Sequence, residues 1–305
     1  MAQLKPLEGG YYLWTYLPSI PAAAIFAVLF GLVTCYLFFK LFQTRAWYNI
    51  SFSIGGISSD DNRCLHASPT TVEIVGYIVR ILNYSNTASI GLYAIQSVLI
   101  LLGPVLFAAT VYMTLGRIIR SLPQRLTAAT EPKAKSVSLI PPKHLTKLFV
   151  ASDILSFIVQ GSGVGLMVRS TGQTTAKAIT VVGLLIQVIM FSFFIVVALV
   201  FHRRVKAQQQ HSQQQIRLSQ YGRPLDRLMY MLYAVSALIL VRSIFRVIEY
   251  AMGMHGYILT HEWTLYVFDS VLMWSVMVIW AVGFPGELVE EKLGYEVEMD
   301  EERIV

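Results

Sequence analysis

Six stretches of this chain, 22–42, 90–119, 145–168, 176–201, 228–252 and 263–284, are predominantly apolar, and each reaches the length of about 20 residues that a helix needs to cross a bilayer. Inside hydrocarbon every backbone amide must find its partner within the protein, and a single segment achieves that only as a helix. Between the first two stretches lies a broken one. Residues 47–57 and 73–83 are each too short to span, yet together they have the length of one span. The segment SSDDNRCLHASPTTV, Ser58 to Val72, divides them, and its Asp60, Asp61 and Arg63 do not belong in lipid. Joining the two pieces around an insertion predicts an all-α membrane protein. It is a seven-transmembrane helix bundle forming one domain over residues 1–285, with an acidic tail over 286–305.

Composition excludes the main alternatives. With 55% hydrophobic and 14% charged residues and a mean hydropathy of +0.58, the chain has lipid as its principal solvent and is not a soluble globule. The net charge of +6 resides in short loops without interleaved aromatics. Such a distribution suits anionic lipid at the cytoplasmic loops and argues against nucleic acid as a partner. Cys35 and Cys64 lie in unlike surroundings and give neither a disulfide framework nor a thiolate metal site. Among the histidines only His255 and His261 are neighbours, so no metal and no other cofactor is expected. The run QGSGVG, Gln160 to Gly165, lacks the preceding strand and the Lys-Ser/Thr of a phosphate loop and suits close helix approach instead. No nucleophile and base stand at a usable spacing, so the protein is expected to be non-enzymatic.

Lys and Arg set the expected orientation. They concentrate after the third helix (Arg117, Arg120, Arg125, Lys133, Lys135, Lys143, Lys147) and after the fifth (Arg203, Arg204, Lys206, Arg217, Arg223, Arg227). Placing both loops in the cytoplasm puts the N-terminus outside and the C-terminus inside. The acceptor sequence Asn83-Tyr84-Ser85 then falls on the outer side. The first 17 residues lack the features of a cleaved signal peptide. Gln208 to Gln215, QQQHSQQQ, and Leu126 to Ser138 have the composition of linkers.

Polar residues inside the apolar runs recur at helical spacing. Arg242, Arg246 and Glu249 share one face of the sixth helix, and Glu262 and Asp269 share one face of the seventh. Glu73 and Arg80 do so on the second, and Asp153 and Gln160 on the fourth; Gln96 adds a polar group to the third. Ionisable groups at bilayer depth cost several kcal/mol unless paired or wet, so these stripes are expected to face one another. Interhelical ion pairs that fix helix register would explain them. So would a polar cavity for an amphiphile's head group, lined by Glu73, Arg80, Gln96, Asp153, Gln160, Arg242, Arg246, Glu249 and Asp269, with Asp153 and Asp269 as ammonium acceptors.

Four longer stretches carry a family resemblance: EIVGYIVR (Glu73 to Arg80), QSVLILLGPVLFAATVYMTLGRII (Gln96 to Ile119), LTKLFVASDILSFIVQGSGVG (Leu145 to Gly165) and RSIFRVIEYAMGMHGYILTHEWTLYVFDSVLM (Arg242 to Met273). With them the chain, from Pro18 to about Pro285, resembles the fungal lipid-translocating exporter family of RTA-like proteins. The resemblance implies a multi-pass protein, most often of the plasma membrane, that exports sphingoid long-chain bases or similar cationic amphiphiles and confers resistance to toxic lipids. Ser58 to Val72 interrupts the family pattern, and Gly103 stands where alanine is usual. A receptor or sensor of the membrane's lipid or stress state shares the expected topology and is the alternative from another class.

Overall fold

The computed structural model describes residues 19–44, 69–84, 89–127, 142–167, 173–211, 215–253 and 256–283. All regular structure among them is helical: α1 (Ile20–Thr44), α2 (Pro69–Asn83), α3 (Ile90–Thr127), α4 (Pro142–Met167), α5 (Gln173–His211), α6 (Gln215–Met252), the one-turn α7 (Tyr257–Thr260), α8 (Glu262–Leu265) and α9 (Leu272–Val282). A π-helical segment, Tyr266–Val271, joins α8 to α9, and the three run on as one final rod, Glu262–Val282, long and apolar enough to cross a membrane. Ile20–Lys40, Ile90–Gly116, Thr174–Ala207 and Leu225–Met252 meet the same standard. The protein is therefore an integral, multi-pass membrane protein. The seventh-helix reading gains its rod, with α6 and α1 on its flanks.

Neighbours in sequence are neighbours in space. α1 packs on α2, α2 on α3, and so on to α6; α9 then packs on α6 and on α1, closing the ring, while α3 reaches α6 across it. Short connections favour this order. Gly253, at φ +79°, ends α6 in the left-handed conformation that glycine adopts without a Cβ penalty. Large apolar side chains are turned outward along α1 (Ile25, Val28, Leu32), α4 (Ile154, Ile158) and α5 (Ile189). Polar and charged side chains are turned in, the arrangement that a lipid solvent demands.

Three boundaries differ from the sequence expectation. α2 begins at Pro69, with Thr70 and Val72 buried, so the last four residues of the expected insertion are its first turn; proline at the first helical position forgoes an amide that has no helical partner anyway. Its 15 residues rise about 22 Å, and residues 47–57, expected to complete this span, lie outside the described set, as do 58–68. The glutamine-rich expected linker is largely helical, since α5 continues through His211 and α6 starts at Gln215. Leu126 and Thr127 likewise belong to α3.

Candidate functional site

The charged interior is built where α2, α6 and the final rod meet. An i, i+4, i+7 stripe on α2, namely Glu73, Tyr77 and Arg80, lies against Glu262, Tyr266 and Ser270 of the final rod. The Tyr77 and Ser270 hydroxyls are hydrogen-bonded to each other. Arg80 donates from Nη2 to Glu262 at 2.8 Å and from Nε to the Tyr266 hydroxyl at 3.2 Å. That hydroxyl donates in turn to Glu262 at 3.1 Å. The backbone amide of Ser19, just ahead of α1, meets both Glu262 oxygens at 3.0 Å. Phe26 of α1 stacks on Tyr266 at 5.2 Å and Phe30 on Tyr77 at 5.3 Å. α1 thus covers this row with rings.

Two turns deeper, about 10 Å along the helix, Asp269 takes a guanidinium on each oxygen. Arg242 donates from Nε to Oδ1, and Arg246 from Nη2 to Oδ2 at 2.5 Å. Arg246 also donates from Nη1 to Glu249 at 2.9 Å, and Arg242 from Nη2 to the Ile100 carbonyl of α3 at 3.2 Å. These four side chains are all buried. The π turn matters here, because its wider spacing turns two consecutive residues, Asp269 and Ser270, to the interior. One faces the arginines of α6 and the other faces α2. Glu73 completes the cluster and feels the charges of Asp269, Arg242 and Arg246. Its Oε1 has no hydrogen-bond partner and is seated against Gly103 of α3, where a Cβ would lie 2.1 Å away.

The remaining candidates lie elsewhere. Gln96 accepts from the Asn83 amide at 2.7 Å, between α2 and α3. Asn83, the asparagine of the acceptor sequence, is fully buried and serves as a packing group between these helices. Asp153 accepts from the Tyr112 hydroxyl at 2.8 Å. Tyr112 stands among Phe149, Phe191 and Phe194, with ring centroids 5.3, 5.9 and 4.5 Å away. Gln160 donates to Ser156 at 2.8 Å and to Gln187 at 3.1 Å, and Ser156 donates to the Gly183 carbonyl at 2.5 Å. The α4 stripe therefore faces α3 and α5, and the expectation that all four stripes face each other is corrected. The physical reason is demand: Arg242 and Arg246 are already matched by Asp269 and Glu249, so nothing draws Asp153 toward them.

Of the close-approach glycines, Gly163 carries the expectation, since a Cβ there would come 2.1 Å from Thr180 Oγ1 and 2.9 Å from the Ala176 carbonyl. Among the described residues no group of three or more His, Cys, Asp or Glu side chains is placed to hold a metal. Sequence reasoning missed Tyr77, Tyr266 and Ser270. The first two sit one turn from Glu73, Arg80 and Glu262, so helical spacing could have found them; Ser270 enters only through the π turn.

The family model described as RTA1 like protein matches residues 68–292, from the start of α2 past the final rod. "Protoporphyrin uptake protein 1" of Saccharomyces cerevisiae is 33% identical over 92% of this chain and 94% of its own length. "Protein RTA1" of the same yeast is 28% identical over 91% and 86%. The yeast "Sphingoid long-chain base transporter RSB1" is 23% identical over 88% and 72%. No solved structure matches the chain.

Proposed function

This chain belongs to the RTA1-like family, and on that premise we propose that it is a non-enzymatic protein that moves a single-chain cationic amphiphile, of the sphingoid-base class, across the bilayer toward the outside. The observation that carries the reading is a charged interior, Glu73, Arg242, Arg246, Glu249 and Asp269, buried within helices whose outer faces are apolar. Bundles of this size fold without such groups, and ionisable side chains at this depth belong to pathways for polar or charged cargo. The relative named as a sphingoid long-chain base transporter supports the class of cargo. A relative of higher identity is named for protoporphyrin uptake, and it favours a second reading in which the guanidiniums receive an anionic amphiphile's carboxylates.

The protein works with its N-terminus outside and its C-terminus in the cytoplasm, at the plasma membrane. Exposed Arg203 and Arg204 on α5 meet anionic lipid on the inner face. A C-terminal epitope inaccessible in intact cells and accessible after permeabilisation is the expected result; surface labelling would reverse the orientation. The functional test is flux. Purified protein in vesicles should accelerate the movement of fluorescent sphingosine between leaflets above the protein-free rate. An unaltered rate, with cells lacking the protein still changed in their response to the lipid, would replace transport by sensing.

A further inference from the structure

Among the buried charges where α2, α6 and the final rod meet, three are carboxylates, Glu73, Glu249 and Asp269, and two are guanidiniums, Arg242 and Arg246. Arg80 does not redress the difference, because it is paired with Glu262 at 2.8 Å. Three against two leaves one counter-ion place unfilled. The hydrogen bonds identify its owner: Asp269 is held on both oxygens and Glu249 by Arg246, whereas Oε1 of Glu73 has no partner. An unpaired carboxylate buried to 1% is among the costlier groups a membrane helix can carry.

We propose that Glu73 is the head-group site of the transported amphiphile, a primary ammonium docking on the free carboxylate oxygen that the notch at Gly103 seats. The inference rests on the transport reading and revises which carboxylates serve it. Asp269, expected from sequence to accept the ammonium, is saturated by two arginines and acts as the fixed anion that holds α6 to the final rod. Asp153 faces the aromatic side of the bundle and is no part of this site.

The notch has a steric basis. A Cβ at position 103 would lie 2.1 Å from Oε1, 2.7 Å from Cδ and 3.0 Å from Cγ of Glu73. Those are the far atoms of a flexible side chain, so alanine at this position is accommodated by swinging the carboxylate to another rotamer. Glycine at 103 therefore sets where the charge stands. α2 presents Val75, Ile78 and Leu82 outward to lipid, so an acyl chain stays in the bilayer while its ammonium passes between α2 and a neighbouring helix. Arg242 and Arg246, within electrostatic reach of Glu73, oppose the arriving cation and keep its binding reversible.

Binding and flux are measured separately on the full-length protein. In detergent, sphingosine should raise the unfolding temperature of the wild type, and an N-acylated neutral analogue should not. Glu73→Gln keeps the shape of the side chain and removes the ionisable group that lacks a counter-ion, so it should fold at least as well as the wild type. Its half-saturating sphingosine concentration should rise about tenfold or more, the scale of one charge-assisted hydrogen bond, with binding of a porphyrin dicarboxylate unweakened. Gly103→Ala retains every charge and should weaken sphingosine binding by displacing the carboxylate. Wild-type sphingosine affinity in Gly103→Ala and in Glu73→Gln overturns the proposal and assigns Glu73 nothing beyond a buried proton. Should Glu73→Gln fail to fold, wild-type affinity in Gly103→Ala alone overturns it. Glu73-dependent binding without vesicle flux upholds the site and removes the transport reading. Flux in which Glu73→Gln is indifferent upholds transport and removes the site.

Discussion

Asp269 and Asp153 are aspartates of the same bundle, 2% and 1% exposed, and their surroundings have almost nothing in common. Asp269 stands between two guanidiniums at the wide π turn of the final rod. Asp153 has one phenol for company and a wall of phenylalanine behind it. In the first region removing the carboxylate strands two cations; in the second it leaves one neutral phenol without its acceptor. A buried carboxylate is thus structural in proportion to the opposite charges that depend on it, and burial alone does not measure that.

The comparison can be broken most directly at Asp269. Asp269→Ala should cost about 3–5 kcal/mol, the penalty for leaving a buried charge uncompensated, read as a lower unfolding midpoint and lower abundance. Adding Arg242→Gln should recover part of the loss, since Asp269 is the one carboxylate that Arg242 contacts among the described residues, whereas Arg246 keeps Glu249. A cost below about 1 kcal/mol would show that the guanidiniums find other partners.

On the aromatic side the largest effect is steric. Gly163→Ala must push α4 from α5, because the Ala176 carbonyl is backbone and cannot rotate away; about 1–3 kcal/mol is expected. Tyr112→Phe removes the hydrogen bond to Asp153 and should cost about 1–3 kcal/mol. Asp153→Asn should change stability least, within about 1 kcal/mol, because the amide oxygen still accepts the Tyr112 proton. If thermal unfolding shows Asp153→Asn to be as damaging as Asp269→Ala, the two regions are electrostatically alike and the contrast fails.

Much of this was legible before any coordinates. Helix number and the inward turn of Glu73, Arg80, Arg242, Arg246, Glu249 and Asp269 follow from apolar run length and from seven-residue spacing, since a helix face is a local property. Which stripe meets which is not local. Asp153 and Gln160 have the same spacing as Glu73 and Arg80, yet they face Tyr112 and Gln187, because helix order around a ring depends on packing between segments far apart in the chain. The partners of Asn83 were hidden for the same reason: its amide donates to Gln96 and to the Leu92 carbonyl, both on the next helix.

By itself the sequence determined that this protein lives in lipid, that its spans are helices, and which side chains those helices carry inward. Each of these is decided within one segment by the cost of exposing a peptide group or a charge to hydrocarbon. Only the tertiary structure decided the pairing of charges. It put Asp269 between two arginines through a turn of π-helix that no residue pattern announces, it sent Arg80 to Glu262, and it left Glu73 as the odd carboxylate in a notch made by a glycine 30 residues along the chain. Coulomb attraction acts between neighbours in space, and segments become neighbours only when the bundle closes.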